Sequence, residues 1–170
     1  LQHGGAGEVP VPRAEVLLFL ASRAQHVERF IRPALDSGSW VLCDRFEDST
    51  LAYQGYGRGF GIDNLRAINH FATHGLKPDL TLLLDVLPEI SRARVLARQT
   101  QTSSAPDRIE RESEAFHIRL RNGFLELARQ EPNRFVVLDT AGEQKQVASA
   151  IRMAVIRRLM SDGGGANEHG

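Results

Sequence analysis

Three short apolar runs, each closed by an aspartate, limit what this chain can fold into. Trp40-Val41-Leu42-Cys43-Asp44, residues 80–84 with Asp85, and residues 135–138 with Asp139 are too short for helices. Runs of this length beside turn residues read as strands buried on both faces. Between them the spacing changes. Leu17, Leu20, Ala24, Val27, Ile31 and Leu35 recur three and four apart, so residues 13–35 read as one long amphipathic helix ending at the Asp36-Ser37-Gly38 turn. Further helices are expected over residues 62–73, from Pro88, over residues 107–130 and over residues 143–160. Strands that alternate with helices imply an α/β fold with a parallel sheet and right-handed crossovers. Ligands of such sheets bind beyond the carboxyl ends of the strands, which makes Asp44, Asp85 and Asp139 candidates, although aspartate is also a routine strand terminator.

The 170 residues suffice for a single domain, with a core over residues 14–160 and a flexible polar tail over residues 161–170. Twenty-one basic residues balance 21 acidic ones, and 42% of the chain is hydrophobic, which argues against a disordered tail and a basic nucleic-acid coat. The longest apolar stretch, residues 16–21, is far below the roughly 18 residues that cross a bilayer, and no leader pattern opens the chain. No membrane or nucleic-acid partner and a cytoplasmic location are therefore expected. Cys43 is the one cysteine, and in its apolar run it reads as a buried spectator thiol. Only Lys77 and Lys145 among the basic residues are lysine. Arginine's planar fork suits phosphates and carboxylates, but surface pairing with glutamate accounts for most of such arginines. Residues 99–106, polar and without hydrophobic period, read as a mobile loop, and the Gly- and Pro-rich stretch over residues 1–12 reads as a loop.

Chemistry concentrates directly after the first apolar run. Asp44-Arg45-Phe46-Glu47-Asp48-Ser49 and the residues on to Gly59 combine acids, arginine, hydroxyls, an aromatic ring and an amide beside a glycine-rich turn. That mixture can hold a polar ligand bearing an anion. It can also be structural: Asp44 as a cap, Arg45 as its ion-pair partner, Tyr53 as packing.

The Asp-Arg-Phe at 44–46, Ser-Thr at 49–50, Ala-Tyr-Gln-Gly at 52–55 and Gly-Arg-Gly at 57–59 resemble the signature of thymidylate kinases. Residues 18–24 are similar to the family's Phe-x-x-x-Arg helix, and residues 78–86 and 107–110 match further family blocks in order. The resemblance covers about residues 14–160. It implies transfer of the γ-phosphoryl group of ATP to dTMP, giving dTDP, with Mg2+ as second cofactor. It also implies the P-loop nucleoside monophosphate kinase fold, a three-layer arrangement of a parallel sheet with flanking helices. A homodimer through residues 13–35 and 62–73 is expected on the same ground.

Carried onto this chain, Phe19 resembles the ring that stacks on thymine and Arg23 the guanidinium that donates to a base carbonyl. Four residues apart, the two share a helix face. Arg45 corresponds to the arginine on the acceptor phosphate, Ser49 and Thr50 to the turn lining the base pocket, and Tyr53 to the ring beside the sugar 2′ carbon, with Gln54 next to it. Asp44 corresponds to the carboxylate near magnesium or the reacting phosphates. Residues 92–106 resemble the lid, where Arg98 is the candidate for stabilising the transferring phosphoryl group and Arg94 for lying over adenine. The bland alternative for both is a solvated basic helix end. No residue is assigned as a direct metal ligand.

A Gly-x-x-x-x-Gly-Lys-Ser/Thr loop, which cradles nucleotide phosphates with backbone N–H groups, is not found in these residues. The expectation is that the family's N-terminal strands and phosphate loop lie outside these 170 residues, and that the residues alone are inactive. A deoxynucleoside kinase, or a non-catalytic nucleotide-binding or dimerisation remnant, are the competing readings.

Overall fold

Extended backbone at Val11 and proline at the first helical position start α1 (Pro12–His26), with Glu15 in its first turn. The computed structural model describes residues 10–102 and 112–163. The chain divides into two units, residues 1–77 and residues 78–170.

In the first unit the long helix does form, but not as one regular rod. After α1 comes a π-helical turn, Val27–Ile31, and then α2 (Arg32–Asp36). The Arg32 N–H donates to the carbonyl of Val27, five residues back. Pro33 is the cause nearest to hand, because it lacks an N–H and its ring crowds the turn before it, so the ladder widens there. A second break of this kind follows α3 (Glu47–Thr50), where residues Leu51–Gly57 form another π-helical turn. α4 (Ile62–Thr73) has the bounds expected from the sequence and ends on His74 in left-handed backbone (φ 54°). α1 packs on α4, and Val16, Leu20, Val27, Ile31, Leu51, Ala52, Leu65 and Ala72 make the buried core. Burying a side chain such as Val27 or Leu65 is worth about 1.5–3 kcal/mol.

Residues 40–44 are not a strand, contrary to the sequence-based expectation. They have no hydrogen-bonded ladder, and Trp40 and Leu42 are 77% and 99% exposed. A strand exists only where a neighbour satisfies its N–H and C=O groups, and the described residues of this unit contain helices and turns alone. Cys43 is accordingly half-buried rather than enclosed.

The second unit is built on two strands. β1 (Thr81–Asp85) and β2 (Phe135–Asp139) pair in parallel, with Thr81 opposite Phe135 and Asp85 opposite Asp139. They are joined through α5 (Pro88–Thr102) and α6 (Glu114–Gln130), and α7 (Gln144–Gly163) follows β2. A crossover of this length is what a parallel pair requires. Both α6 and α7 pack on β2, around a core of Phe116, Leu120, Leu127, Ala128, Phe135 and Ala154. Ser113 caps α6, its hydroxyl oxygen accepting from the Phe116 N–H at 3.2 Å.

The architecture is thus helix-rich with a small parallel sheet of two strands among the described residues. Three expectations shift. Residues 99–102 of the expected loop continue α5, since nothing in Gln99-Thr100-Gln101-Thr102 stops a helix; residues 103–106 lie outside the described residues. α6 begins at Glu114 behind its serine cap, later than residue 107, which itself lies outside the described residues. α7 runs to Gly163, so the first three residues of the expected tail are helical, and residues 164–170 lie outside the described residues. No helix among the described residues is long and apolar enough to cross a membrane.

Candidate functional site

Phe19 and Arg23 sit one turn apart on α1, Phe19 half exposed and Arg23 half-buried. The Arg23 guanidinium is the point at which three segments of the first unit meet. Its Nη1 donates to Oδ1 of Asn69 on α4 at 2.6 Å, and its Nη2 donates to the Phe46 carbonyl at 3.1 Å. The guanidinium carbon lies 5.6 Å from the centre of the Phe46 ring, within cation–π range. Burial pushes the Arg23 pKa below its ordinary value, while Glu47, Cys43 and Asp48 pull it back up. The α1 residues expected to read a base therefore stand beside the segment expected to hold a phosphate and sugar.

That segment is held in an unusual backbone. Arg45 has φ 64°, in the left-handed region. A residue other than glycine held there costs about 1–3 kcal/mol and persists only where its surroundings fix it. Those surroundings are visible: the Cys43 thiol donates to the Arg45 carbonyl at 3.5 Å, and the Arg45 guanidinium lies 5.1 Å from the centre of the Tyr53 ring. Burial raises the Cys43 pKa, against the pull of Arg23, so the thiol is a neutral donor. Asp44 and Arg45 are exposed, Ser49 and Tyr53 half-buried, and Thr50 and Gln54 buried. The Ser49 N–H donates to the Phe46 carbonyl at 3.2 Å, starting α3.

Tyr53 and Gln54 lie on the second π-helical turn, where the Arg58 N–H reaches back five residues to the Tyr53 carbonyl (3.1 Å) and the Phe60 N–H reaches the Gln54 carbonyl (3.0 Å). A Cβ at Gly55 would force the end of the Ile62 side chain to shift. The turn therefore packs closely on the start of α4.

Arg94 and Arg98 belong to the other unit, one turn apart and exposed on α5. The Arg94 Nη2 donates to the carbonyls of Thr140 (2.7 Å) and Ala141 (3.1 Å), in the turn that follows β2. Arg92 pairs with Glu114 at 2.9 Å. The rest of the expected lid, and Arg108, lie outside the described residues.

The aspartates that close the two strands do structural work. Arg121 grips Asp85 through two hydrogen bonds, Nε to Oδ1 at 2.7 Å and Nη2 to Oδ2 at 2.8 Å, and the bond to Asp85 raises the Arg121 pKa. Oδ1 of Asp139 accepts from the Ala141 N–H at 2.8 Å, an Asx turn. Among the described residues no three His, Cys, Asp or Glu side chains are grouped to hold a metal ion.

Sequence reasoning missed Asn69, and gave Glu47 and Asp48 no role beyond membership of the block that starts at Asp44. All three are buried, at 1%, 6% and 6% exposure. Asn69 did leave a signal: it is a polar residue on the stripe of α4 that buries Leu65, Ala72 and Thr73.

Comparison with known proteins gives these residues a family context. The family model for thymidylate kinase matches residues 7–151. A thymidylate kinase of Geotalea daltonii is 47% identical over 156 residues, which are 91% of this chain and 73% of that protein. One from Desulfovibrio desulfuricans is 50% identical over 155 residues, 90% of this chain and 71% of that protein. One from Synechococcus sp. (strain JA-3-3Ab) is 47% identical over 155 residues, 91% of this chain and 72% of that protein.

Proposed function

The chain belongs to the thymidylate kinase family, and we propose that it serves the transfer of the ATP γ-phosphoryl group to dTMP, forming dTDP, with the acceptor pocket in residues 1–77. The observation that carries the pocket is the Arg23 hydrogen bond to the Phe46 carbonyl. It sets the base-reading face of α1 beside Arg45, Ser49 and Thr50. Phe19 offers a half-exposed ring on which a pyrimidine can stack. Arg23 keeps N–H donors beyond the two engaged by Asn69 and Phe46, available to a base carbonyl. Arg45, exposed and clamped by its backbone, is the donor to the acceptor phosphate.

Asp44 is the exposed carboxylate that would face metal-bound phosphates. One carboxylate fits Mg2+, which takes one or two protein carboxylates and leaves most of its shell to phosphate oxygens and water. Magnesium neutralises charge on the phosphates of ATP when bound; Arg98 would meet the charge that develops on the transferring group. Arg94, through the turn it holds after β2, is the residue we assign to the adenine side. The nucleoside monophosphate kinase fold, with the two strands found here as part of a wider parallel sheet, belongs to the same reading. So do a cytoplasmic location and a homodimer through α1 and α4, a reading supported by the exposure of Leu17, Phe30 and Phe71.

Competition among pyrimidine nucleotides tests the pocket. dTMP should bind at least about tenfold more tightly than thymidine, as expected for one charge-assisted phosphate contact, and more tightly than dCMP. Equal affinity for all three would overturn the assignment.

A further inference from the structure

Asn69 on α4 is almost completely buried, at 1% exposure, and both ends of its amide are engaged. Nδ2 donates to the Leu65 carbonyl one turn back, at 2.9 Å, and Oδ1 accepts from Nη1 of Arg23 at 2.6 Å. The first bond fixes which way the amide faces. The carbonyl oxygen must then point at α1, where it meets the guanidinium. A polar residue buried in a helix stripe displaces apolar packing, so its presence calls for a partner, and the partner here is an arginine 46 positions away in sequence.

Arg23 has competing attractions. Glu47 and Asp48, both buried, act on its charge from the neighbouring segment. A flexible arginine beside two carboxylates would be drawn toward them and would turn its donors away from a ligand. Asn69 offers a neutral acceptor that occupies one edge of the guanidinium without neutralising it, and the Phe46 carbonyl occupies a second position. The plane of the fork is then defined by two contacts from two elements, and its remaining donors have a fixed direction.

We propose that Asn69 is a positioning residue for Arg23: it touches no nucleotide, but orients the guanidinium so that the pocket favours a pyrimidine with a carbonyl at position 4 over one with an amino group there. This rests on Arg23 reading the base, as set out above. A donor held in place rejects an amino group because two donors would face each other, whereas a free donor swings aside and discriminates poorly.

Calorimetric titration of dTMP and dCMP with the protein and three single variants tests the idea. Asn69→Leu keeps the side-chain volume but removes the acceptor; it should weaken dTMP binding about tenfold while leaving dCMP nearly unchanged, so the preference falls. Asn69→Asp keeps an oxygen facing Arg23, though as a carboxylate and without the Nδ2 bond to Leu65, and should recover part of that preference. Arg23→Ala is the reference and should lose the preference outright. In the double variant, Asn69→Leu should have no further effect on an Arg23→Ala background, because its effect travels through Arg23. Additive losses would instead mark Asn69 as ordinary core packing and overturn the proposal. So would an unchanged preference in Asn69→Leu or its loss in Asn69→Asp, each with Arg23→Ala losing it. If Arg23→Ala itself keeps the preference for dTMP, the reading of Arg23 falls first. Should Asn69→Leu fail to fold, Asn69→Asp and the Arg23→Ala reference still decide, since the acceptor-bearing variant must keep part of what the arginine variant loses.

Discussion

In residues 1–77 the aspartate that ends an apolar run, Asp44, is exposed at the end of a segment that has no ladder. In residues 78–170 the equivalent aspartates are consumed by the fold, Asp85 by Arg121 and Asp139 by the turn at Ala141. The same sequence sign therefore has two fates. Where a parallel neighbour exists, the strand forms and its terminal carboxylate is drawn into closing the strand end. Where none exists among the described residues, the run forms no regular element and its carboxylate, with Arg45 next to it in left-handed backbone, is exposed. Polar groups of the first unit converge on a guanidinium with donors to spare; those of the second mostly satisfy one another. The contrast is the ground for proposing ligand recognition in the first unit.

The contrast is broken most severely if α5 proves irrelevant to chemistry. In a protein that also carries the phosphate loop, Arg98→Ala should lower kcat and kcat/KM for dTDP formation together, by about 10³-fold as for arginine fingers, with dTMP affinity nearly intact. Arg94→Ala, which frees the Thr140 and Ala141 carbonyls, should raise the KM for ATP with a smaller effect on kcat. Steady-state kinetics with each substrate varied separates the two. Near-normal kcat in Arg98→Ala would mean that Arg92 or Arg108 holds the role, or an arginine of the phosphate loop.

At the other extreme lies a polar cluster that should barely matter. Arg129 and Gln130 hold the Glu126 carboxyl at a pKa of about 2, down from an ordinary 4.5. A carboxyl with a lowered folded-state pKa stabilises the fold above its unfolded value, and that contribution fades as pH falls through the folded value. Glu126→Gln should thus lower Tm slightly near neutrality, and the gap should close between pH 4.5 and about 2. The group is solvent-exposed, so the effect is small. A Tm difference that persists at the acid end would show packing, not charge, at work on α6.

How much of this was legible depended on whether the cause was local. α4 could be read off the sequence because its apolar spacing and its end at His74 are properties of that segment alone. β1 and β2 were legible to within a residue, and Phe19 and Arg23 could be placed on one face by their spacing. The run at 40–44 carries the same local signal as the two strands, but pairing belongs to the neighbour, which no segment encodes by itself. The two π-helical turns were hidden because the ladder's register depends on Pro33 and on the close approach of Gly55 to Ile62. The bond from Arg23 to Asn69 was hidden by its sequence separation, although a buried amide beside Leu65 and Ala72 on α4 needs a partner.

The proposed acceptor site lies in residues 1–77, with phosphate on Arg45 and base on Phe19. Calorimetric titration of dTMP and of thymidine into Arg45→Ala and Phe19→Ala tests it most directly. Arg45→Ala should weaken dTMP binding by about tenfold or more and leave thymidine almost unaffected, since a charge-assisted contact is worth about 1.5–3 kcal/mol. Phe19→Ala should weaken both ligands alike, by the about 1–3 kcal/mol of a lost stacking contact. Equal losses for the two ligands in Arg45→Ala would show that its left-handed backbone and its contact with Tyr53 serve the fold alone, and would contradict the account.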